Sequence, residues 1–181
     1  MGCDQYFVCL LYADDLILLS PTVAGLQDML NLCQDTATFL ALNFNVMKCQ
    51  CIAFGKNAAL SIDPMSIGSC KIDWYDSIKY LGVYIVAGKR LSFDIDPVKR
   101  TFYSACNYVF SQAGRTDEIL NLSLQETYCL PILLYASPGY SFKKRQLSEL
   151  NACWNSMYRK IFNFNQWESV KCFINAWFRK T

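Results

Sequence analysis

Asp14 and Asp15 are adjacent carboxylates within Tyr12-Ala13-Asp14-Asp15, and the tetrapeptide stands between two apolar runs, residues 6–11 and 16–19. Two unpaired negative charges side by side repel, and an apolar ribbon provides no counter-charge, so something positive is expected at this point. A divalent cation is the natural partner. Mg²⁺ prefers carboxylate oxygens and keeps its remaining positions for water or phosphate, which suits phosphoryl and nucleotidyl transfer. The same dipeptide also makes an ordinary hairpin turn, because aspartate tolerates turn dihedrals and caps its own backbone.

What the chain lacks narrows the chemistry. It has 181 residues and no histidine, which removes Ser-His-Asp triads, Cys-His dyads and histidine-ligated metals from this sequence. Ten cysteines, at positions 3, 9, 33, 49, 51, 70, 106, 129, 153 and 172, contain no Cys-x-x-Cys pair and lack the density of a small secreted scaffold. They read as reduced core thiols, with Cys49 and Cys51 at alternate positions of one strand. Catalysis on this chain therefore rests on carboxylates, lysine or backbone. A hydrophobic content of 53% is enough for one domain, or a domain and a subdomain, with a real core. No apolar run is long enough for a membrane span, and the N-terminus lacks a basic segment followed by a signal-type apolar stretch and cleavage site, so the expected setting is intracellular, in nucleus or cytoplasm.

The elements that must position the carboxylates follow from pattern. Runs 6–11 and 16–19 predict paired strands, buried on at least one face, with Asp14 and Asp15 at the tip. Ser20-Pro21 predicts an N-cap and first helical residue, followed by an amphipathic helix to residue 41. Residues 50–54 predict a strand, 55–69 a loop, and the alternating runs 71–74 and 78–86 a second hairpin turning at Tyr75-Asp76-Ser77. Beyond residue 87 the chain turns helical, with helices expected from Asp96 to about Gly114, from a Ser123 to Glu126 capping box through Leu124, Tyr128 and Leu130 to Pro131, along Leu147, Leu150, Trp154, Met157 and Ile161, and along Trp167, Val170, Phe173 and Trp177. Trp154 and Tyr158 are expected in the core, although the aromatics near Arg159 and Lys160 could also stack on bases.

The net charge of +2 conceals a division. Residues 1–88 carry four Lys/Arg and eight Asp/Glu, a net of −4, whereas residues 89–181 carry thirteen and seven, a net of +6. A polyanion lying along the second half and a cation held by the first would fit this distribution, as would a solvated basic surface.

Taken in order, these segments resemble the reverse transcriptase of non-LTR, LINE-type retrotransposons, from partway through the palm to the thumb. Tyr12-Ala13-Asp14-Asp15 matches that family's motif C. Asn45 and Lys48, within residues 42–48, are similar to its motif D, and Tyr80-Leu81-Gly82-Val83 to the primer grip that follows. The helical remainder, including Leu130 to Tyr135 and Trp154 to Phe162, resembles its thumb. The resemblance implies an α+β fold: a partial polymerase palm of antiparallel hairpins with a packed helix over residues 1–88, then an all-helical thumb over 89–181. It implies an RNA-directed DNA polymerase that uses an RNA template, a DNA primer and dNTP, with no membrane partner. Asp14 and Asp15 would bind catalytic Mg²⁺ or Mn²⁺, two ions about 4 Å apart that activate the primer 3′-hydroxyl and stabilise the leaving pyrophosphate. Lys48 would meet the triphosphate as cation or general acid; Tyr12 and Ala13 would shape the floor beside the nucleotide; Tyr80, Leu81 and Gly82 would hold the primer.

The chain departs from that pattern at its start. Ahead of the first apolar run there are five residues, so the fingers, motif B and the motif A aspartate of the family are not in this sequence, and neither is the retroelement endonuclease. Two adjacent carboxylates do not make a three-carboxylate, two-metal site, and the expectation is a fragment inactive alone, with the N-terminal palm and fingers segment as its partner. Two other outcomes stay open: a non-catalytic nucleic-acid-binding remnant that uses the basic half, and an inactive product of a decayed element.

Overall fold

The computed structural model describes residues 8–56, 62–113, 117–135 and 142–178. The chain divides into two compact units, Met1–Phe93 and Asp94–Thr181, and its architecture is mixed α+β, with small antiparallel sheets and α-helices. No helix among the described residues is long and apolar enough to cross a membrane.

The first unit opens with β1 (Val8–Tyr12) and β2 (Asp15–Leu19), an antiparallel pair in which Val8 faces Leu19 and Tyr12 faces Asp15. Tyr6 and Phe7, expected in the first strand, lie outside the described residues. The expectation of a buried face fails here. Every residue of β1 is exposed, and only Leu16, Ile17 and Leu18 of β2 are half-buried. Burial depends on what packs against a strand, and α1 (Val23–Phe39) packs against β2.

The α1 helix begins two residues later than Ser20 predicts. Thr22 is the N-cap, its Oγ1 accepting the Gly25 N–H at 3.1 Å, while Ser20 Oγ is occupied with Thr22, accepting its N–H and donating to its carbonyl. The helix ends in a Schellman motif: the Leu42 N–H reaches the Ala37 carbonyl at 2.8 Å and the Ala41 N–H the Thr38 carbonyl at 3.1 Å. Ala41 takes the left-handed position, φ 55°, that glycine usually fills.

Residues expected as a loop form β3 (Met65–Ile67), paired with β4 (Cys70–Ile72). Gln27 of α1 clamps this strand, accepting the Ser66 N–H at 2.9 Å and donating to the Ser66 carbonyl at 2.7 Å. One side-chain amide thus supplies both hydrogen bonds that a neighbouring strand would give that residue. Met65, Ile67 and Ile72 are buried with Cys51, and Leu26, Leu30, Val46, Cys49 and Trp74 pack against them. Residues 50–54 are not a full strand; they make single parallel bridges, Cys51 to Trp74 and Phe54 to Gly88. Cys49 closes a 3-10 turn, Val46–Lys48, so Cys49 and Cys51 are not alternate residues of one strand.

The turn expected at Tyr75-Asp76-Ser77 is also displaced. The chain folds back at Leu81-Gly82 instead, between β5 (Ser77–Tyr80) and β6 (Val83–Val86), and β7 (Ser92–Asp94) completes a three-stranded sheet in the order β5-β6-β7.

The second unit is helical: α2 (Asp96–Ala113), α3 (Glu118–Tyr128), α4 (Leu130–Leu134), α5 (Lys144–Ile161) and α6 (Lys171–Phe178). Gly114, the expected end of α2, and the Trp177 side chain lie outside the described residues. Ser123 does not cap a helix. It sits within α3, its carbonyl accepting the Thr127 hydroxyl at 2.8 Å, because the helix already starts at Glu118. The buried face of α3 is accordingly Asn121, Leu122 and Gln125, with Tyr128 exposed. Pro131 occupies the first turn of α4, where its missing N–H costs nothing. The last helix starts at Lys171, leaving Trp167 exposed before it and Val170 buried.

The core of this unit joins Phe102 and Cys106 of α2 to Leu122, Cys129, Leu133, Cys153, Met157, Tyr158 and Ile161. Aromatic rings run through it, Trp154 on Tyr158 at 5.5 Å and Phe162 on Phe173 at 4.4 Å between centroids. Cys51, Cys106, Cys129 and Cys153 are buried free thiols, but Cys9, Cys70 and Cys172 are exposed, so the cysteines are not uniformly core residues. Burial pushes the Cys51 thiol up to about 11 and the Cys106 thiol up as well, which keeps both protonated and unreactive at neutral pH.

Candidate functional site

With Tyr12 paired to Asp15, β1 and β2 are joined by the two residues Ala13 and Asp14. Two-residue hairpin loops favour turns with positive φ, because these match the right-handed twist of the strands. Ala13 carries it, φ 51°. An L-residue in this region costs roughly 1–2 kcal/mol, since its Cβ crowds the following carbonyl. The strain falls on the residue immediately before Asp14, and strained backbone of this kind collects at functional sites.

Cross-strand partners share a face, so Asp15 lies on the same side of the hairpin as Tyr12. Asp14 occupies the turn itself. Ala13, Asp14 and Asp15 are exposed, and Tyr12 is 63% exposed. No lysine or arginine forms an ion pair with either aspartate among the described residues. The carboxylates therefore stand in solvent at the end of an apolar ribbon, without a counter-charge among the described residues.

Tyr80, Leu81 and Gly82 come together at the second hairpin. Tyr80 pairs with Val83, and both loop residues have positive φ, 44° at Leu81 and 81° at Gly82, the pattern of a type I′ turn. Gly82 is thus a turn residue and not, as its place in an apolar run suggests, a glycine inside a strand. Asn-Gly is the dipeptide favoured in such turns; here leucine takes the first position. Along this hairpin Lys79 and Tyr84 are cross-strand partners, the ammonium 5.5 Å from the ring centroid.

Lys48 ends the turn Val46–Lys48 and is exposed, with no ion-pair partner among the described residues. Three candidate groups are thus placed on three separate turns of one unit: the aspartates on the β1–β2 turn, Lys48 on the 3-10 turn, and Tyr80 to Gly82 on the β5–β6 turn. Two carboxylates fit one Mg²⁺, which is held through one or two carboxylates and completed by water and substrate phosphate. They do not supply the bridging ligand of a two-metal pair. Among the described residues there is no cluster of three or more His, Cys, Asp or Glu arranged to hold a metal ion.

In the second unit four of the eight described Lys/Arg side chains are engaged internally, while Arg100, Lys143, Lys144 and Lys171 are exposed. Lys99 Nζ lies 2.6 Å from Asp96 and 2.8 Å from Glu149. Arg145 Nε donates to Glu149 at 3.0 Å and Arg159 Nε to the Glu168 carbonyl at 2.9 Å. Lys160 donates to Asn107 Oδ1 at 2.7 Å and stands 4.4 Å from the centroid of the Phe110 ring. Tyr158, near the expected stacking aromatics, is fully buried, its hydroxyl donating to Glu126 at 3.2 Å.

Sequence reasoning missed the strain at Ala13 and Leu81. The signal was available: a two-residue turn requires positive φ, and neither residue is the glycine or asparagine that accepts it readily. Comparison of the chain with models of protein families, with curated proteins and with solved structures finds no match in any of the three.

Proposed function

We propose that the first unit is the motif C and primer-grip part of a reverse transcriptase palm of LINE type, and that the helical unit corresponds to its thumb. The observation that carries this reading is the pair Asp14 and Asp15, exposed and without counter-charge among the described residues at the tip of a two-residue hairpin. An ordinary two-residue turn requires positive φ at its tip but has no need of a second carboxylate. A second hairpin with strained leucine at its tip, at the residues that resemble the primer grip, supports the same reading.

On this proposal Asp14, with Asp15 beside it, contributes carboxylate oxygens to Mg²⁺ or Mn²⁺. Such an ion, when bound, neutralises phosphate charge and lowers the pKa of a coordinated hydroxyl. Tyr12 and Ala13 border the nucleotide, Lys48 offers a cation to its phosphates, and Tyr80 to Gly82 hold the primer strand. The metal pair of such an enzyme needs one further carboxylate, of motif A type, from a segment outside this sequence. The reaction is nucleotidyl transfer from dNTP to a primer on an RNA template, performed by the chain together with that segment.

A non-catalytic nucleic-acid-binding module is the second reading: Lys99, Arg159 and Lys160 are held within their own unit, whereas Arg100, Lys143, Lys144 and Lys171 are exposed.

The test is primer extension on an RNA template with Mg²⁺ and then Mn²⁺. The chain alone is expected to incorporate no nucleotide. Addition of the fingers and motif A segment of a LINE-type element as a second polypeptide is expected to yield incorporation that Asp14→Ala abolishes. Incorporation that survives Asp14→Ala refutes the assignment, and robust incorporation by the chain alone that Asp14→Ala abolishes overturns the expectation of a fragment inactive alone.

A further inference from the structure

We draw no further inference here: the strongest candidate, the exposed apolar surface of β1 formed by Val8, Leu10, Leu11 and Tyr12, carries nothing, because nothing in the structure shows what covers it.

Discussion

Replacement of Ala13 by glycine tests whether the aspartate hairpin is held under strain. Ala13 is exposed, so loss of its methyl group removes no burial, and the effect comes from the backbone alone. At φ 51° alanine bears roughly 1–2 kcal/mol that glycine does not. Against this, glycine loses about 0.4–1 kcal/mol more conformational freedom on folding. The difference favours Ala13→Gly by about 0–1.6 kcal/mol, centred near 0.8. A two-stranded ribbon is marginally stable, and β1 is exposed along its length, so this increment falls on local opening of the hairpin and not on the whole fold. Amide hydrogen exchange over residues 8–19 should slow about two- to fivefold, with the amides of α2 and α5 unchanged. Ala13→Val should act in the opposite direction, since a β-branched residue is a genuine outlier at positive φ. Faster exchange in Ala13→Gly, or equal exchange in glycine and valine variants, would refute the strained turn and with it the structural argument for a functional Asp14.

Three further outcomes concern the helical unit. Phe102→Ala, which empties a fully buried ring position packed near Trp154, should destabilise that unit by about 3–5 kcal/mol in urea unfolding; a loss below 1 kcal/mol would mean that the position is not core. Gln125 is fully buried, its Nε2 donates to the Cys106 carbonyl at 3.2 Å, and its Oε1 has no partner among the described residues; because an unpaired buried acceptor costs about 1–3 kcal/mol against roughly 1 for the bond made, Gln125→Met should raise the Tm, and a fall would show that Oε1 is satisfied. Lys99 holds Asp96 and Glu149 below their ordinary carboxylate range, Arg145 assisting at Glu149. Carboxylates depressed in the folded state stabilise above their unfolded pKa and lose that contribution as pH falls through the folded value. The acid limb of stability below about pH 4 should therefore be shallower in Glu149→Gln than in the native chain; parallel acid limbs would remove this ion pair from the stability of the unit. The raised Lys99 ammonium has the opposite sign and acts only in strong alkali.

How much of this molecule could be read in advance depends on the range of the interaction that decides each feature. The aspartate hairpin is legible because everything that defines it lies within a dozen residues: two apolar strands, a turn, and charge where an apolar ribbon cannot neutralise it. Helices α2 and α5 are legible for a similar reason, since Val98, Phe102 and Phe110, or Leu150, Met157 and Ile161, repeat at helical spacing and do face the core. The β5–β6 turn is hidden because its first residue, Leu81, is a poor turn former lying between strand-forming neighbours, and only the pairing of Tyr80 with Val83 forces it into the left-handed region. Ser123 misleads by chemistry that is sound locally, for a hydroxyl three residues before a glutamate does cap helices; Glu118 starts the helix first and turns Ser123 into an interior residue.

Burial is the feature the sequence carries least, because it belongs to the partner surface and not to the residue. Leu11 is 73% exposed at the site while Gln125 is fully buried in the core, the reverse of what their side chains alone would predict. The Gln125 inversion has a local cause, its amide reaching the Cys106 carbonyl across two helices. At Leu11 the cause is one of coverage: α1 lies against β2 and leaves β1 in solvent. An apolar strand exposed beside two exposed carboxylates places hydrophobic surface and metal-binding oxygen on one hairpin. On the polymerase proposal, the segment that supplies the third carboxylate is the one expected to cover the apolar ribbon. The two tests are therefore coupled. A complementing segment that restores Asp14-dependent synthesis should also slow exchange in β1, and synthesis without protection of β1 would separate the chemistry from the packing argued for it.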